Sequence, residues 1–174
     1  TPVAVNNTPV RTLTAGKTIQ INADDISYAG TISTTGTTGS VTLKPTTTGR
    51  AVTLGINVAN TLHLSSAELG AISTYRLNIG DANSGAITNN ANQALSTISN
   101  SVALTTGGAL NLNASSFGIG SANLLINAAG GINPTAAGTD ATVGTASFTS
   151  GNDVNILING TTADPDYRQL NVVG

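Results

Sequence analysis

The sequence predicts an all-β fold in which short strands stack as a parallel β-helix, or β-solenoid, of about seven coils. Three observations support this prediction. Aliphatic residues alternate with polar ones through most of the chain, turn-forming residues bound each alternating run, and the runs recur about every 23 residues. Strands this short, with only one apolar face, need stacked neighbours to be stable.

The clearest alternation lies between Gly108 and Asn133. Leu110 and Leu112 alternate with asparagines, and Leu124 and Ile126 repeat the pattern after a glycine-containing turn. A period of two residues indicates strands with one apolar and one polar face.

In chain order, the first segment, 1–10, is predicted to be a linking arm or an edge strand, because Pro9 separates it from the alternating runs that begin after Arg11. Ser65 to Glu68 has the Ser-x-x-Glu form of a capping box, which predicts one helical turn carrying Leu69 and Ile72. The strands are predicted around these aliphatic residues: Ile19 and Ile21, Ile26, Ile32, Val41 and Leu43, Val52 and Leu54, Leu62 and Leu64, Leu77 and Ile79, Ile87, Leu95 and Ile98, Val102 and Leu104, Leu110 and Leu112, Leu124 and Ile126, Val143, Phe148, Val154 to Ile158, and Leu170 with Val172.

Two interleaved series of apolar positions give the period. One comprises positions 19, 41, 62, 87, 110, 132 and 154, and the other comprises 52, 77, 102, 124, about 146, and 170. An immunoglobulin-like β-sandwich is the alternative, because it also has short strands at regular intervals. The lack of Trp, and of two-residue hairpin signals other than Asn159-Gly160, favours the solenoid.

The 174 residues are the size of one domain, so we expect a single module spanning 1–174. Because the chain lacks Met and opens on Thr1, we expect it to be a fragment or repeat unit of a larger protein. No run of about eighteen apolar residues marks a membrane-spanning segment. Only 8% of residues are charged, against about 25% in ordinary domains. The absence of cysteine fits either a cytosolic or a secreted protein. The nearly uncharged surface of Thr, Asn, Ser and Gly favours a secreted or cell-surface location.

The net charge is −2 and the six basic residues are scattered, so no basic stripe exists to bind nucleic acid. His63, the sole histidine, alternates with leucines and has no Asp nearby in the sequence, which favours a plain surface histidine. The segment Gly118 to Asn123 lacks the third glycine and the following helix of a dinucleotide loop, and is predicted to be a turn. The threonine runs at 34–38 and 46–48 are predicted to be solvated loops rather than an ice-binding ladder.

Carboxylates lie close in sequence only at Asp24-Asp25 and at Asp164-Pro165-Asp166. Stacking of coils would bring Asp140 near Asp164, so Asp140, Asp164 and Asp166 are the candidate calcium ligands. An Asp in a turn also bonds its own backbone, and this interpretation is favoured over calcium. No residue is predicted to be catalytic, and no cofactor is predicted.

Several phrases resemble the passenger repeats of filamentous haemagglutinin-like and autotransporter adhesins of Gram-negative bacteria. Three of them follow one another in the order found in those repeats: GSVTLKPTTTGRAVTLG (Gly39 to Gly55), LHLSSAELGAIST (Leu62 to Thr74) and YRLNIGDANSGAIT (Tyr75 to Thr88). ANLLINAAGGIN (Ala122 to Asn133) resembles their turn-bounded strands, and DVNILINGTTADPDYRQLNVVG (Asp153 to Gly174) is similar to the closing part of such passengers.

This resemblance implies a right-handed parallel β-helix, exported to or beyond the outer membrane, that acts as a stalk or an adhesive surface without catalysis. Its expected partners are glycans or proteins on host or neighbouring cells, or further copies of itself joined end to end. Two alternatives stay open. One is a self-assembling filament or surface-layer subunit, and the other is a carbohydrate-active β-helix enzyme.

Overall fold

The protein is mostly β, with parallel sheets, as the all-β prediction requires. A computed structural model describes residues 3–5, 9–11, 14–114, 116–134, 140–142 and 146–150. One short helix, α1 (Ser66–Gly70), lies among the described residues. The strands are β1 (Val3–Val5), β2 (Val10–Arg11), β3 (Thr18–Asn22), β4 (Ile26–Tyr28), β5 (Ile32–Ser33), β6 (Ser40–Lys44), β7 (Val52–Leu54), β8 (Leu62–Leu64), β9 (Ile72–Ile79), β10 (Ile87–Asn89), β11 (Gln93–Ala94), β12 (Ile98–Thr106), β13 (Leu110–Leu112), β14 (Ser116–Gly118), β15 (Asn123–Ala128), β16 (Ile132–Pro134), β17 (Asp140–Thr142) and β18 (Ala146–Ser150).

Every pairing among the described strands is parallel, and most join residues a nearly constant distance apart in the chain. Ile19 is paired with Val41, 22 residues on, and Ile87 with Leu110, 23 residues on. Parallel neighbours usually need a long connection between them, and for most of these pairs a stretch with other strands supplies it. The antiparallel pairing that an immunoglobulin-like sandwich requires does not occur among the described strands.

Two long runs of paired strands organise the chain. In one, β3, β6, β9, β12, β15 and β18 follow one another. In the other, the order is β8, β7, β10, β13 and β16. A three-stranded sheet of β11, β14 and β17 and the pair β1 and β4 are smaller, while β2 and β5 extend the first run through the start of β9.

The core is built from the inward positions of these strands. Val41, Leu77 and Val102 are in register with one another on neighbouring strands, and all three are fully buried. Burying one such side chain stabilises the fold by about 1.5–3 kcal/mol. At the β3 end, Ile19 and Ile21 occupy the same inward positions but are only half-buried. The aliphatic core is therefore partly open at this end.

The regular spacing is interrupted once, between β6 and β9. Val41 is paired with Leu77, 36 residues on. Within this interval β7 pairs in parallel with β8, only ten residues further along, as Val52 with Leu62. The loop between them and α1 account for the additional residues. We call residues 55–71 the insertion.

The insertion makes the two predicted series wrong at one point. They placed position 62 after 41 and position 77 after 52, whereas the structure pairs 41 with 77 and 52 with both 62 and 87. The paired residues on either side of it are 36 apart rather than about 23. This excess is close to half the repeat, so each later strand still falls at a multiple of the period. Counting by residue number alone therefore assigned those strands to the wrong sheet.

Candidate functional site

A groove lies where the insertion meets β4. It has a volume of about 570 Å³ and is lined by residues of the 25–30 segment, of β8 and of α1, with Asn57 from the loop before β8. Its size is within the range of small-molecule sites, roughly 300–1,000 Å³. Strands β4 and β8 are near neighbours here, but they belong to different sheets. The groove therefore opens where two sheet edges meet without pairing.

The capping box predicted at Ser65 forms one wall of the groove. The Ser65 side chain accepts a hydrogen bond from the Glu68 N–H, and the Glu68 carboxylate accepts one from the Ser65 N–H at 2.8 Å. These bonds satisfy donors that a helix start otherwise leaves unpaired. The prediction of a helical turn here is confirmed for Leu69, with α1 beginning at Ser66. It is wrong for Ile72, which begins β9 because the helix ends at Gly70.

Tyr28 joins β4 to this helix. Its N–H donates to Glu68 Oε1 at 3.2 Å, and its hydroxyl donates to the Glu68 carbonyl at 2.6 Å. Burial raises the pKa of the Tyr28 hydroxyl far above its ordinary range, and the negative charge of Glu68 raises this pKa further. Tyr28 therefore stays neutral and acts as a hydrogen-bond donor. The corner of the groove is held by these bonds.

The loop between β7 and β8 is fixed from both sides. The Asn90 side-chain amide accepts a hydrogen bond from the Ile56 N–H at 2.7 Å and donates to the Ile56 carbonyl at 3.1 Å. The Thr53 and Thr61 hydroxyls share a further hydrogen bond at the other end of the loop. Asn57 therefore reaches the groove from a main chain that is already held in place.

His63 lies on β8 and lines the groove. Its Nε2 atom is 2.9 Å from the Gly55 carbonyl oxygen. Because a carbonyl can only accept, Nε2 carries the hydrogen and Nδ1 of the neutral ring is an acceptor. Asp25 lines the same groove, but the hydrogen bond of His63 is to Gly55, so the interpretation of His63 as a plain surface histidine stays a prediction. The two residues are distant in sequence and line the groove from different elements, Asp25 from the segment before β4 and His63 from β8.

Three polar side chains of the groove make no hydrogen bond to another described residue. They are Asp25, Ser27 and Asn57, and all three are at least partly accessible. No Lys or Arg is found among the described residues that line the groove. The groove therefore offers free hydrogen-bonding groups and a negative charge.

Asp24, next to Asp25, has a different role. Its carboxylate accepts hydrogen bonds from the N–H groups of Thr46 and Thr47 and from the Thr47 hydroxyl. The Thr47 side-chain bond, with the Thr47 N–H next, lowers the pKa of Asp24, and the nearby Arg50 lowers it further. Asp24 therefore stabilises the turn that contains the threonine run at 46–48.

A second polar cluster joins Lys44 and Asp81 at 2.9 Å. Burial alone would raise the pKa of Asp81, but hydrogen bonds from Lys44, Asn83 and Ser84 outweigh burial and lower it. Each of these groups has a protein partner. The cluster is therefore a structural tie between the turns that follow β6 and β9.

The polar faces of the sheets carry hydrogen bonds between neighbouring strands. Asn78 donates to Thr42, Asn111 donates to Thr88, and Asn133 donates to Asn111. These rows are the outward Asn and Thr positions of the sequence pattern, and they form an uncharged polar surface.

The calcium prediction rests mostly on residues outside the described part of the chain. Asp140 begins β17, whereas Asp164 and Asp166 lie outside the described residues, so the calcium site stays a prediction. Within the described ranges, no three His, Cys, Asp or Glu side chains are grouped as a metal site would require.

None of the described helices has the length and apolar character to cross a membrane. Residues 119–122 form the predicted turn between β14 and β15.

Comparisons of the chain with protein-family models, with curated proteins and with solved structures found no match. The functional interpretation is therefore based on the fold and on the groove. Sequence reasoning missed the groove, although the capping box at Ser65 was a signal that the chain departs from regular strands there.

Proposed function

We propose that the chain is a right-handed parallel β-helix and acts as a non-enzymatic extracellular module that extends or presents an adhesive surface. The observation that carries the proposal is the parallel pairing of strands about 22–25 residues apart, with aliphatic side chains in register. An array of this kind lengthens by adding similar units, which suits a stalk. The handedness rests on the resemblance to adhesin passenger repeats.

The surface supports an extracellular binding role. Rows such as Thr88, Asn111 and Asn133 present hydroxyl and amide groups without charge. Groups of this type can bind the hydroxyls of glycans or the main chain of another protein. The proposed partners are therefore glycans or proteins on a host or neighbouring cell surface.

A bead adhesion assay tests the function. Beads coated with the folded chain should attach to epithelial or bacterial cells more than beads coated with the same chain after heat denaturation. Equal attachment of the two bead preparations would contradict the adhesive role.

A self-assembling filament is the second candidate, and the open end of the core favours it. Among the described residues β3 pairs only with β6. Lys17 accepts a hydrogen bond from the Ser40 N–H, and Ala23 donates to the Lys44 carbonyl. In a parallel ladder these odd-numbered residues face β6, so Thr18, Gln20 and Asn22 direct their main-chain groups to the other edge. That edge could pair with a second copy.

The substitution Gln20→Pro tests the filament. Proline removes an outward N–H and leaves the bonds to β6 in place. If copies join through this edge, sedimentation of the original chain should show association that rises with concentration, and Gln20→Pro should abolish it. A monomer at high concentration in both proteins would overturn this candidate.

A carbohydrate-active enzyme is less well supported by the groove. Hydrolysis of a glycosidic bond by the common mechanism needs two carboxylates that act together. Asp25 and Glu68 both line the groove, but both Glu68 oxygens already accept hydrogen bonds, from Tyr28 and Ser65. One carboxylate remains available, which fits binding better than catalysis.

A further inference from the structure

The free groups of the groove are mainly acceptors. The Asp25 carboxylate and Nδ1 of His63 accept hydrogen bonds, while Ser27 and Asn57 can both donate and accept. A ligand that satisfies them all must present several donors together with some acceptors.

The charge of the groove limits the ligand class. Asp25 and Glu68 line it, and no Lys or Arg does so among the described residues. A phosphate, sulfate or carboxylate in the groove would face these carboxylates without a compensating cation. Anionic ligands are therefore disfavoured.

A hydroxyl-rich ligand fits better than an amine. An ammonium group only donates, so it would leave the Asn57 amide N–H and the Ser27 O–H without an acceptor. Sugar hydroxyls donate and accept, and the C–H faces of a sugar ring can pack on the methyl groups of Ala29, Ala67 and Ala71, which also line the groove.

The groove is also held in shape before any ligand arrives. Asn90 fixes the main chain next to Asn57, the Gly55 carbonyl fixes the His63 ring, and Glu68 joins α1 to β4. Because these groups are already ordered, binding costs less conformational entropy.

We propose that this groove binds neutral, hydroxyl-rich carbohydrate and discriminates against sialylated and sulfated glycans. The inference rests on the proposed adhesive function and names its ligand class. Asp25 and Asn57 supply the main contacts, with Ser27 and His63 beside them.

The test uses the full chain on a printed array of neutral glycans with glucose, galactose, mannose, fucose and N-acetylhexosamine ends, beside sialylated and sulfated glycans. Calorimetry then measures Kd for the best neutral glycan against Asp25→Ala, Asn57→Ala and a matched control, Asn127→Ala. Asn127 is an exposed asparagine on β15, outside the groove. Thermal unfolding confirms that each variant is folded.

We expect neutral glycans to bind, with Kd about tenfold higher in each groove variant and unchanged in the control. Equal Kd for the original chain and all three variants, or weaker binding by Asn127→Ala alone, would show that the groove is not the glycan site. It would leave open an adhesive surface elsewhere on the chain. Preference for sialylated or sulfated glycans would overturn the charge argument. If the beads attach to cells but the chain binds no glycan, the inference is overturned and the proposed function is not. If the beads do not attach and the chain binds no glycan, the inference and the proposed function are both overturned.

Discussion

At the scale of single residues, Glu68 is the main tie of the insertion. The residue is only 9% exposed, and its carboxylate accepts hydrogen bonds from both the start of α1 and the main chain of β4. Removing it leaves the buried N–H of Tyr28 and the partly buried N–H of Ser65 without an acceptor. Buried unpaired donors cost about 1–3 kcal/mol each.

We therefore expect Glu68→Ala to lower the free energy of unfolding by about 2–4 kcal/mol, measured by urea denaturation. Glu68→Gln is the matched control, since it keeps one carbonyl oxygen as an acceptor and should lose less. An alanine variant within about 0.5 kcal/mol of the original chain would show that the capping box is not needed for stability.

Asp24 gives the stability a defined dependence on pH. Hydrogen bonds from Thr47 hold its folded-state pKa below the unfolded value of about 3.9. The charged form therefore contributes stability above that value, and the contribution is lost as the pH falls from about 4 through the folded pKa.

Asp24→Asn should consequently lower the melting temperature at pH 7, and the difference from the original chain should shrink toward pH 2.5. Asp25→Asn is the matched control, because Asp25 accepts no hydrogen bond from a described residue and should change little at either pH. A difference for Asp24→Asn that is equal at both pH values would contradict the role of its ionised form.

At the scale of elements, the turns that lead into β10, β13 and β16 lie side by side. In each turn the main chain closely approaches the main chain of a neighbouring segment. Gly85, Gly108 and Gly130 each precede the first residue of one strand by two positions. A Cβ atom on Gly108 would lie 2.6 Å from the Ala86 nitrogen, and one on Gly130 would lie 2.6 Å from the Ala109 nitrogen. The strands can pair beside these turns because these positions carry no side chain.

Gly108→Ala should therefore destabilise the fold by about 1–3 kcal/mol, the usual cost of overpacking. Gly70→Ala is the control, because a Cβ there would meet no atom within 4 Å and Gly70 ends a helix. It should be neutral or slightly stabilising in urea denaturation. Equal stability of the two variants would show that the main chain around Gly108 can shift to make room for a methyl group.

Most elements could be predicted because each follows from a local pattern. Alternation placed strands at Val41 and Leu43, and the Ser65 to Glu68 motif placed the helix. Pairing across the insertion could not be predicted. The extra spacing between paired strands there is close to half the repeat, so apolar residues still recur about every 23 positions although they belong to different sheets. Asp25 and His63 line one groove from different elements, so no local signal indicated their meeting.

At the scale of the whole molecule, stability comes from apolar packing and hydrogen bonds rather than from charge. Two ion pairs, Lys44 with Asp81 and Arg50 with Asp24, are found within the described ranges. Pairs of this kind contribute little and are screened by salt.

We expect the melting temperature to change by less than about 3 °C between low salt and 1 M NaCl, measured by calorimetry at pH 7. A fall of about 10 °C or more would indicate a network of charges that the described residues do not contain.

The insertion also has a consequence for the recognition that we propose at the groove. The strands on either side of it keep their partners, since Val41 and Leu77 remain paired across the added residues. A longer or different loop between β7 and β8 would change the groove without disturbing that pairing. Related chains or designed libraries could therefore exchange specificity at residues 55–61 while the framework stays the same.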